Sequence, residues 1–221
     1  MKNVIFAGLL LLLLCTAGFT APAALPEASV RTSVPLSTNH IDERETDLGD
    51  FTADALRDSN HTDGAFIAAA SFVRSSRVMG PGKIDVDDLY QSFQFPTEAV
   101  AIVKLSGKQI ESGLKMSFTL YPVGYTGFLQ ISGITASVRM TNGSAVLTDI
   151  KISGKPVQLT AFYKIAMPLT LANGAQGYFR VWDKDDIVSS GPRTLRQSIE
   201  QYAKQHTDIA KGDSRLVVHQ Q

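Results

Sequence analysis

The stretch from Phe128 to Pro168 constrains the fold most. It holds four runs of β-branched and apolar residues, Phe128 to Ser132, Thr135 to Met140, Ala145 to Ile152 and Tyr163 to Pro168, broken by Asn142-Gly143 and Ser153-Gly154. Side chains branched at Cβ pack well on a pleated surface, and Asn-Gly supplies the positive φ angles of a tight hairpin turn. The second half therefore reads as consecutive strands joined by short turns.

Upstream the apolar period changes to that of helices. Leu48, Phe51, Ala55 and Leu56 fall on one helical face of a segment running to Arg57, with Asp47 available as its cap. Ala65 to Ala70 suits a short buried strand, Gly80-Pro81-Gly82 a turn, and Asp85 to Phe93 a short helix. Ala99 to Leu105 predicts a strand, and Ile110, Leu114 and Phe118 share a second helical face. After Gly191-Pro192, with Arg193 or Thr194 near its start, a last helix presents Leu195, Ile199 and Tyr202. Helices early, strands late and a closing helix predict an α+β fold, a mixed β-sheet flanked by helices. A chain of 221 residues suits one such domain plus a leader.

Residues 1–24 have the pattern of a secretory signal peptide: Lys2, an apolar run from Val4 to Leu14, and small residues around Ala21-Pro22-Ala23. That run is too short for a membrane span, which needs about 20 apolar residues. The expected product is exported, periplasmic or extracellular, with no stable span after cleavage. Cys15, the one cysteine, would leave with the leader, so stability must come from packing rather than from disulfides. A lipid on Cys15 is the lesser reading, because Leu14 precedes it where a small residue is wanted. Residues 25–44 mix Pro, Ser and Thr without an apolar period and predict a linker or extended arm, leaving the domain at 45–221.

Charge and motifs exclude several classes of function. Lys and Arg balance Asp and Glu at 21 each with no basic run, which argues against a nucleic-acid partner. His40, His61, His206 and His219 are scattered, without the spacing of converging metal ligands. Ser112-Gly113-Leu114-Lys115 matches S-x-x-K but lacks the partner motifs of acyl-transfer enzymes and reads as helix surface. No Gly-rich phosphate loop is present. Asn60-His61-Thr62 and Asn142-Gly143-Ser144 fit the glycosylation sequon.

A set of segments in consistent order remains. Glu45 to Arg57 (ETDLGDFTADALR) is similar to the E-[TS]-N-L-G-N-L-x-A-D-A-[ML]-R helix of the 5′-nucleotidase family. Lys83 to Tyr90 resembles the family's G-x-I-T-x-x-D-[VL]-Y, and Gln94 to Thr97 falls at P-F-G-N. Val103 to Ile110 matches V-x-L-[TS]-G-x-Q-[LI], Gly127 to Gly133 matches G-F-L-Q-V-S-G, and Asn173 to Tyr178 stands at G-G-D-G-Y. The resemblance covers about residues 45–205 and is to the C-terminal, substrate-binding domain of that family.

It implies a domain that holds the nucleoside part of a substrate, with an aromatic sandwich gripping the base. Carried over residue by residue, it puts Phe95 at the first aromatic of the sandwich and Arg74 at the arginine ending N-G-G-G-I-R. It also puts Thr97 at the P-F-G-N asparagine, Gly127 at the head of G-F-L-Q, and Gln176 at the aspartate of G-G-D-G-Y. The departures are an Ala68-Ala69-Ala70-Ser71 stretch in place of asparagine and glycines, and no aromatic at Pro168 to Leu171, where the second wall is expected.

The family's two-metal domain, with its Asp-x-His and Asn-His-Glu or Asn-His-Asp signatures, has no counterpart in this sequence. No catalytic residue and no metal or other cofactor are therefore expected here; divalent metals would belong to a separate metallophosphatase chain acting as partner. Three readings stand: the substrate-binding half of a split nucleotidase, a stand-alone exported ligand-binding module, and an interaction protein with its old pocket filled by Phe95. Burial of Phe95 is the sign of the third.

Overall fold

The computed structural model describes residues 28–75, 77–212 and 214–219. The predicted signal peptide lies outside them. The chain runs through β1 (Ser29–Thr32), β2 (Leu36–Ser37), α1 (Asp47–Asn60), β3 (Gly64–Ala68), β4 (Val78–Met79), β5 (Gly82–Asp85) and α2 (Val86–Tyr90). It continues with β6 (Ala99–Ser106), α3 (Gly107–Ser117), β7 (Leu129–Ser132), β8 (Ile134–Thr141), β9 (Ser144–Ile152), β10 (Lys155–Pro156) and β11 (Phe162–Pro168). Last come α4 (Leu169–Ala172), β12 (Ile187–Thr194), α5 (Leu195–Gln205), β13 (Asp208–Ile209) and β14 (Leu216–His219).

The predicted α+β class with mixed pairing is what forms, distributed over several sheets. A five-stranded sheet in the order β12-β6-β11-β3-β7 is antiparallel except for the parallel pair β11 and β3. A second sheet, β10-β9-β8-β14, is antiparallel apart from its β14 edge. At its tip Asn142 (φ 50) and Gly143 (φ 74) both have positive φ, as the hairpin reading of Asn-Gly requires.

Helix α1 packs across β3, β7 and β11 and against α5, and its Leu48, Phe51, Ala55 and Leu56 are buried there as their spacing predicts. Its cap is Thr46 rather than Asp47. Thr46 has extended backbone and its side chain accepts from the Gly49 amide, while Asp47 sits in the first turn, where a negative charge meets the helix dipole. Asn60 is buried with its side-chain amide donating to the Leu56 carbonyl at 2.8 Å, which puts the first sequon out of reach of a glycan.

The start of the domain differs from expectation. Residues 28–44 are integrated into the fold: β1 pairs with β5 and β13, β2 pairs with β4, and Val30, Leu36 and Ile41 are buried. The apolar residues in this segment are too widely spaced to show a period, and their partners lie far away in sequence. Gln130 in β7 completes the attachment. Its side chain is wholly buried, its Nε2 donates to the carbonyls of Ile41 (2.9 Å) and Arg44 (2.8 Å), and its Oε1 accepts from the Thr46 amide (3.0 Å).

Gln130→Leu keeps the volume but strands three backbone groups, so it is expected to lower stability by about 2–4 kcal/mol in urea denaturation. A loss below about 0.5 kcal/mol would mean the segment is held by apolar burial alone.

Candidate functional site

At the carboxyl ends of the parallel pair β3 and β11, the loops leave a cavity of about 120 Å³. Its floor is made of small side chains, Ala68 closing β3 and Ala70 and Ser71 in the 3₁₀ turn Ala69–Ser71. That turn is pinned from below by the Ala69 and Ala70 amides, which donate to the Phe128 (2.8 Å) and Thr126 (2.7 Å) carbonyls. The alanine run that departs from the family motif therefore forms the floor.

Phe95 and Glu98 form one wall, from the turn between α2 and β6. The turn closes through Glu98 N donating to the Phe95 carbonyl (3.0 Å) and is clamped by the start of α5, where Leu195 N and Arg196 N donate to the Glu98 and Pro96 carbonyls. Phe95 is 67% exposed, so it does not fill the cavity as the third reading requires. Glu98 Oε1 accepts from the Thr170 amide at 2.6 Å, which ties this wall to α4. Thr170 and Leu171 form the opposite wall, aliphatic as the sequence indicates.

Gln176 closes the cavity beside Ala175. It follows Gly174 (φ 84) and precedes Gly177 (φ 88), and has a left-handed backbone itself at φ 57 and ψ 24. That conformation is uncommon for a residue with a Cβ and costs about 1 kcal/mol or more, so the surroundings must enforce it. Two contacts to Gln176 do so, the Tyr125 hydroxyl donating to its carbonyl and the Thr126 hydroxyl donating to its Oε1 at 2.7 Å, while buried Tyr178 next along the turn donates to the Gly127 carbonyl at 2.8 Å. Burial holds both tyrosine hydroxyls above the ordinary phenol value, opposed at Tyr125 by Arg180, so both remain donors.

Of the residues picked from sequence, the structure brings Phe95 and Gln176 together. Gly127 is buried behind Gln176, at a place where a Cβ would come within 2.4 Å of the Tyr125 ring. Thr97 is exposed in the Phe95 turn but does not line the cavity. Arg74 is also outside it. It lies in an open depression of about 420 Å³ shared with His40 and Glu43, its side chain 71% exposed and ion-paired with Asp42. Sequence reasoning missed Glu98, which directly follows the Gln94 to Thr97 segment but lies outside the motif matched there. Phe179 is 63% exposed three residues beyond Gln176, with the Arg180 guanidinium 5.6 Å from its ring.

Among the described residues, no group of three or more His, Cys, Asp or Glu side chains is arranged to hold a metal. The densest acidic set, Glu45, Asp50 and Asp54, surrounds Arg215, whose guanidinium takes the position a cation would need. The residues present do not fit a two-metal centre.

The fold and cavity define an α+β domain with a small solvent-open site built from loops at one end of a mixed sheet. The sequence matches the family described as 5′-nucleotidase, C-terminal domain, over residues 26–183, and the chain belongs to that family. The match takes in β1 and the rest of residues 28–44, in agreement with their packing into the fold.

Solved structures agree in fold. A 5′-nucleotidase precursor from Thermus thermophilus superposes with a TM-score of 0.76 at 20% identity, over 87% of this chain and 39% of that one. An NAD nucleotidase from Haemophilus influenzae gives 0.65 at 18% identity, over 80% of this chain and 33% of that one. A sulfate thiohydrolase of Thermus thermophilus gives 0.64 at 16% identity, over 86% and 34%. The chain thus spans about two fifths or less of the length of these relatives. No curated protein matches it. No described helix is long and apolar enough to cross a membrane.

Proposed function

We propose that this chain is a nucleoside-holding domain of the 5′-nucleotidase type, exported through its leader and contributing to nucleotide hydrolysis together with a separate metallophosphatase. The observation behind this reading is Phe95, an aromatic face left open to solvent at a cavity also lined by Gln176, two residues that the sequence resemblance carries over from the family's motifs. A flat π-face held on a clamped turn suits stacking of a nucleobase, a contact that contributes about 1–3 kcal/mol per base. The phosphate chemistry would come from the partner's metals, which activate water and stabilise the leaving group.

A second reading, ligand binding without hydrolysis, is favoured by one observation. Arg74, the expected phosphate contact, is engaged with Asp42 outside the cavity. The sulfate thiohydrolase among the similar structures adds that this fold accompanies more than one chemistry.

Thermal unfolding with adenosine, guanosine, cytidine, uridine and their monophosphates tests the shared core of both readings. A ligand that binds only the folded state adds about 2.7 kcal/mol at a hundred times its dissociation constant. For a domain of this size that corresponds to a midpoint rise of roughly 5–10 °C. Phe95→Ala is expected to weaken binding about 5- to 100-fold while leaving the ligand-free midpoint unchanged, since the ring is already exposed. No shift with any nucleoside at millimolar concentration would overturn both readings. Binding of nucleosides and monophosphates with equal affinity would favour the second.

A further inference from the structure

We infer that Glu98 is a specificity-determining residue of the cavity, selecting planar rings whose edge presents an amino N–H donor over rings presenting a carbonyl or only a C–H there. The inference rests on the nucleoside-holding reading above and deepens it.

The lining is otherwise weak in recognition chemistry. Among the described residues the floor and far wall are alanines, Ser71, Thr170 and Leu171, no cationic side chain lines the cavity, and Gln176, whose Oε1 takes the Thr126 hydroxyl, offers a ligand the donors of its Nε2 rather than a free acceptor. Among the described residues, Glu98 is the only charged group in the lining. An ionised carboxylate accepts hydrogen bonds and cannot donate them. One oxygen, Oε1, takes the Thr170 amide at 2.6 Å, which fixes the side chain's direction. Among the described residues, Oε2 has neither a hydrogen bond nor an ion pair, so it is the acceptor left for a ligand. Because Phe95 shares the wall and lies three residues away on the same clamped turn, a ring stacked on Phe95 meets this carboxylate at its edge.

The pairing follows from ring chemistry. Cytosine and guanine each offer an exocyclic amino group. Uracil has a carbonyl oxygen where cytosine has its amine, and hypoxanthine lacks the amine of guanine. A carbonyl oxygen facing Oε2 puts two acceptors together with no proton between them, whereas an amine makes a hydrogen bond to a charged group, the stronger kind.

Titration calorimetry of the wild-type chain with cytidine against uridine, and guanosine against inosine, is the test. The expected result is at least about tenfold tighter binding of the amino-bearing member of each pair. Glu98→Gln keeps an oxygen for the Thr170 amide and replaces the free acceptor with a donor, so the preference is expected to fall within about twofold or to invert. Nucleosides that bind with members of each pair within twofold in both proteins would overturn the role of Glu98 and leave the nucleoside-holding reading standing. Absence of binding by all four to the wild type would overturn that reading and this inference together. The wild-type comparison needs no variant, so a Glu98→Gln protein that failed to fold would still leave the selectivity decided.

Discussion

Arg215→Met is expected to lower stability by about 3–5 kcal/mol at pH 7, because it removes the cation around which three carboxylates are folded. Arg215 is 16% exposed, with Nη2 2.8 Å from Asp54 and ion pairs to Asp50 at 3.5 Å and Glu45 at 3.9 Å. It also joins the chain ends of the fold. Its amide donates to both oxygens of Glu45 (2.9 and 2.8 Å), and Nη1 donates to the Ile131 carbonyl in β7. Methionine replaces the aliphatic stem but leaves Glu45, Asp50 and Asp54 facing one another, with Asp47, Asp208 and His206 lining the adjoining cavity. With a total stability of about 5–15 kcal/mol for a natural domain, a loss of this size brings the variant near the point of unfolding.

The same cluster sets a pH dependence. Burial pushes the Asp50 carboxyl up from 3.8 to about 8, with Arg215 opposing and Glu45 and Asp54 adding to the rise. Between these two values the folded chain keeps a proton that the unfolded chain releases. The contribution is therefore fully present below the ordinary carboxylate value and is lost as pH rises through about 8. Wild type is expected to lose at least about 1 kcal/mol between pH 5 and pH 9. Asp50→Asn, which mimics the protonated form, is expected to flatten that slope. In Arg215→Met the loss of the opposing cation raises the Asp50 carboxyl further, so the deficit should be similar at pH 5 and pH 7 and grow toward pH 9, where the wild-type carboxylate is paired with Arg215. Urea unfolding of the three proteins across pH 5–9 checks this; an equal slope in wild type and Asp50→Asn would show that another group is responsible.

Trp182→Ala is expected to cost a further class of stability, about 3–5 kcal/mol through loss of a large buried ring. Trp182 stacks on Tyr178 at 4.5 Å and on Phe66 at 5.9 Å, and its indole N–H donates to the Leu171 carbonyl at 3.0 Å. It lies flat on α3 at Gly113, where a Cβ would stand 2.5 Å from the ring, so that glycine is required by close approach. The ring thus supports both walls of the cavity that are not on the Phe95 turn: Leu171 directly, and Gln176 through Tyr178 and the Gly127 carbonyl. The variant is expected to lose nucleoside binding along with stability, and Trp182→Phe, which keeps the stack but not the N–H donor, to recover more than half of the stability. Trp182 is the single tryptophan, so unfolding has to be followed by far-ultraviolet circular dichroism. Full retention of binding in a folded Trp182→Ala protein would mean that the turn at Gln176 is held without it.

Local pattern was sufficient wherever burial follows a short period. The buried faces of α1 and α3 and four of the five strands between Leu129 and Pro168, β7, β8, β9 and β11, agree with their apolar spacing to within a residue or two. It was insufficient at β12 (Ile187–Thr194), whose Ser189-Ser190-Gly191-Pro192 core reads as a loop. An edge strand with one neighbour and a register shift tolerates glycine and proline that a central strand would not. β14 and the segment 28–44 were equally obscure, because their partners are remote: β14 pairs with β8 and β1 with β5 and β13.

By itself the sequence determined the α+β class, the positions of the main helices and strands, the family, and two residues of the cavity, Phe95 and Gln176. Each of these rests on periodicity or on short motifs, which are properties of neighbours along the chain. Only the tertiary structure decided that Phe95 stays open while Arg74 turns away to Asp42, that Glu98 supplies the cavity's single charge, and that Arg215 holds three carboxylates some 160 residues earlier in the chain. Those outcomes depend on which side chains the fold brings together from distant stretches of chain, and at Arg215, which is mostly buried, ion pairs and hydrogen bonds outweigh local preference.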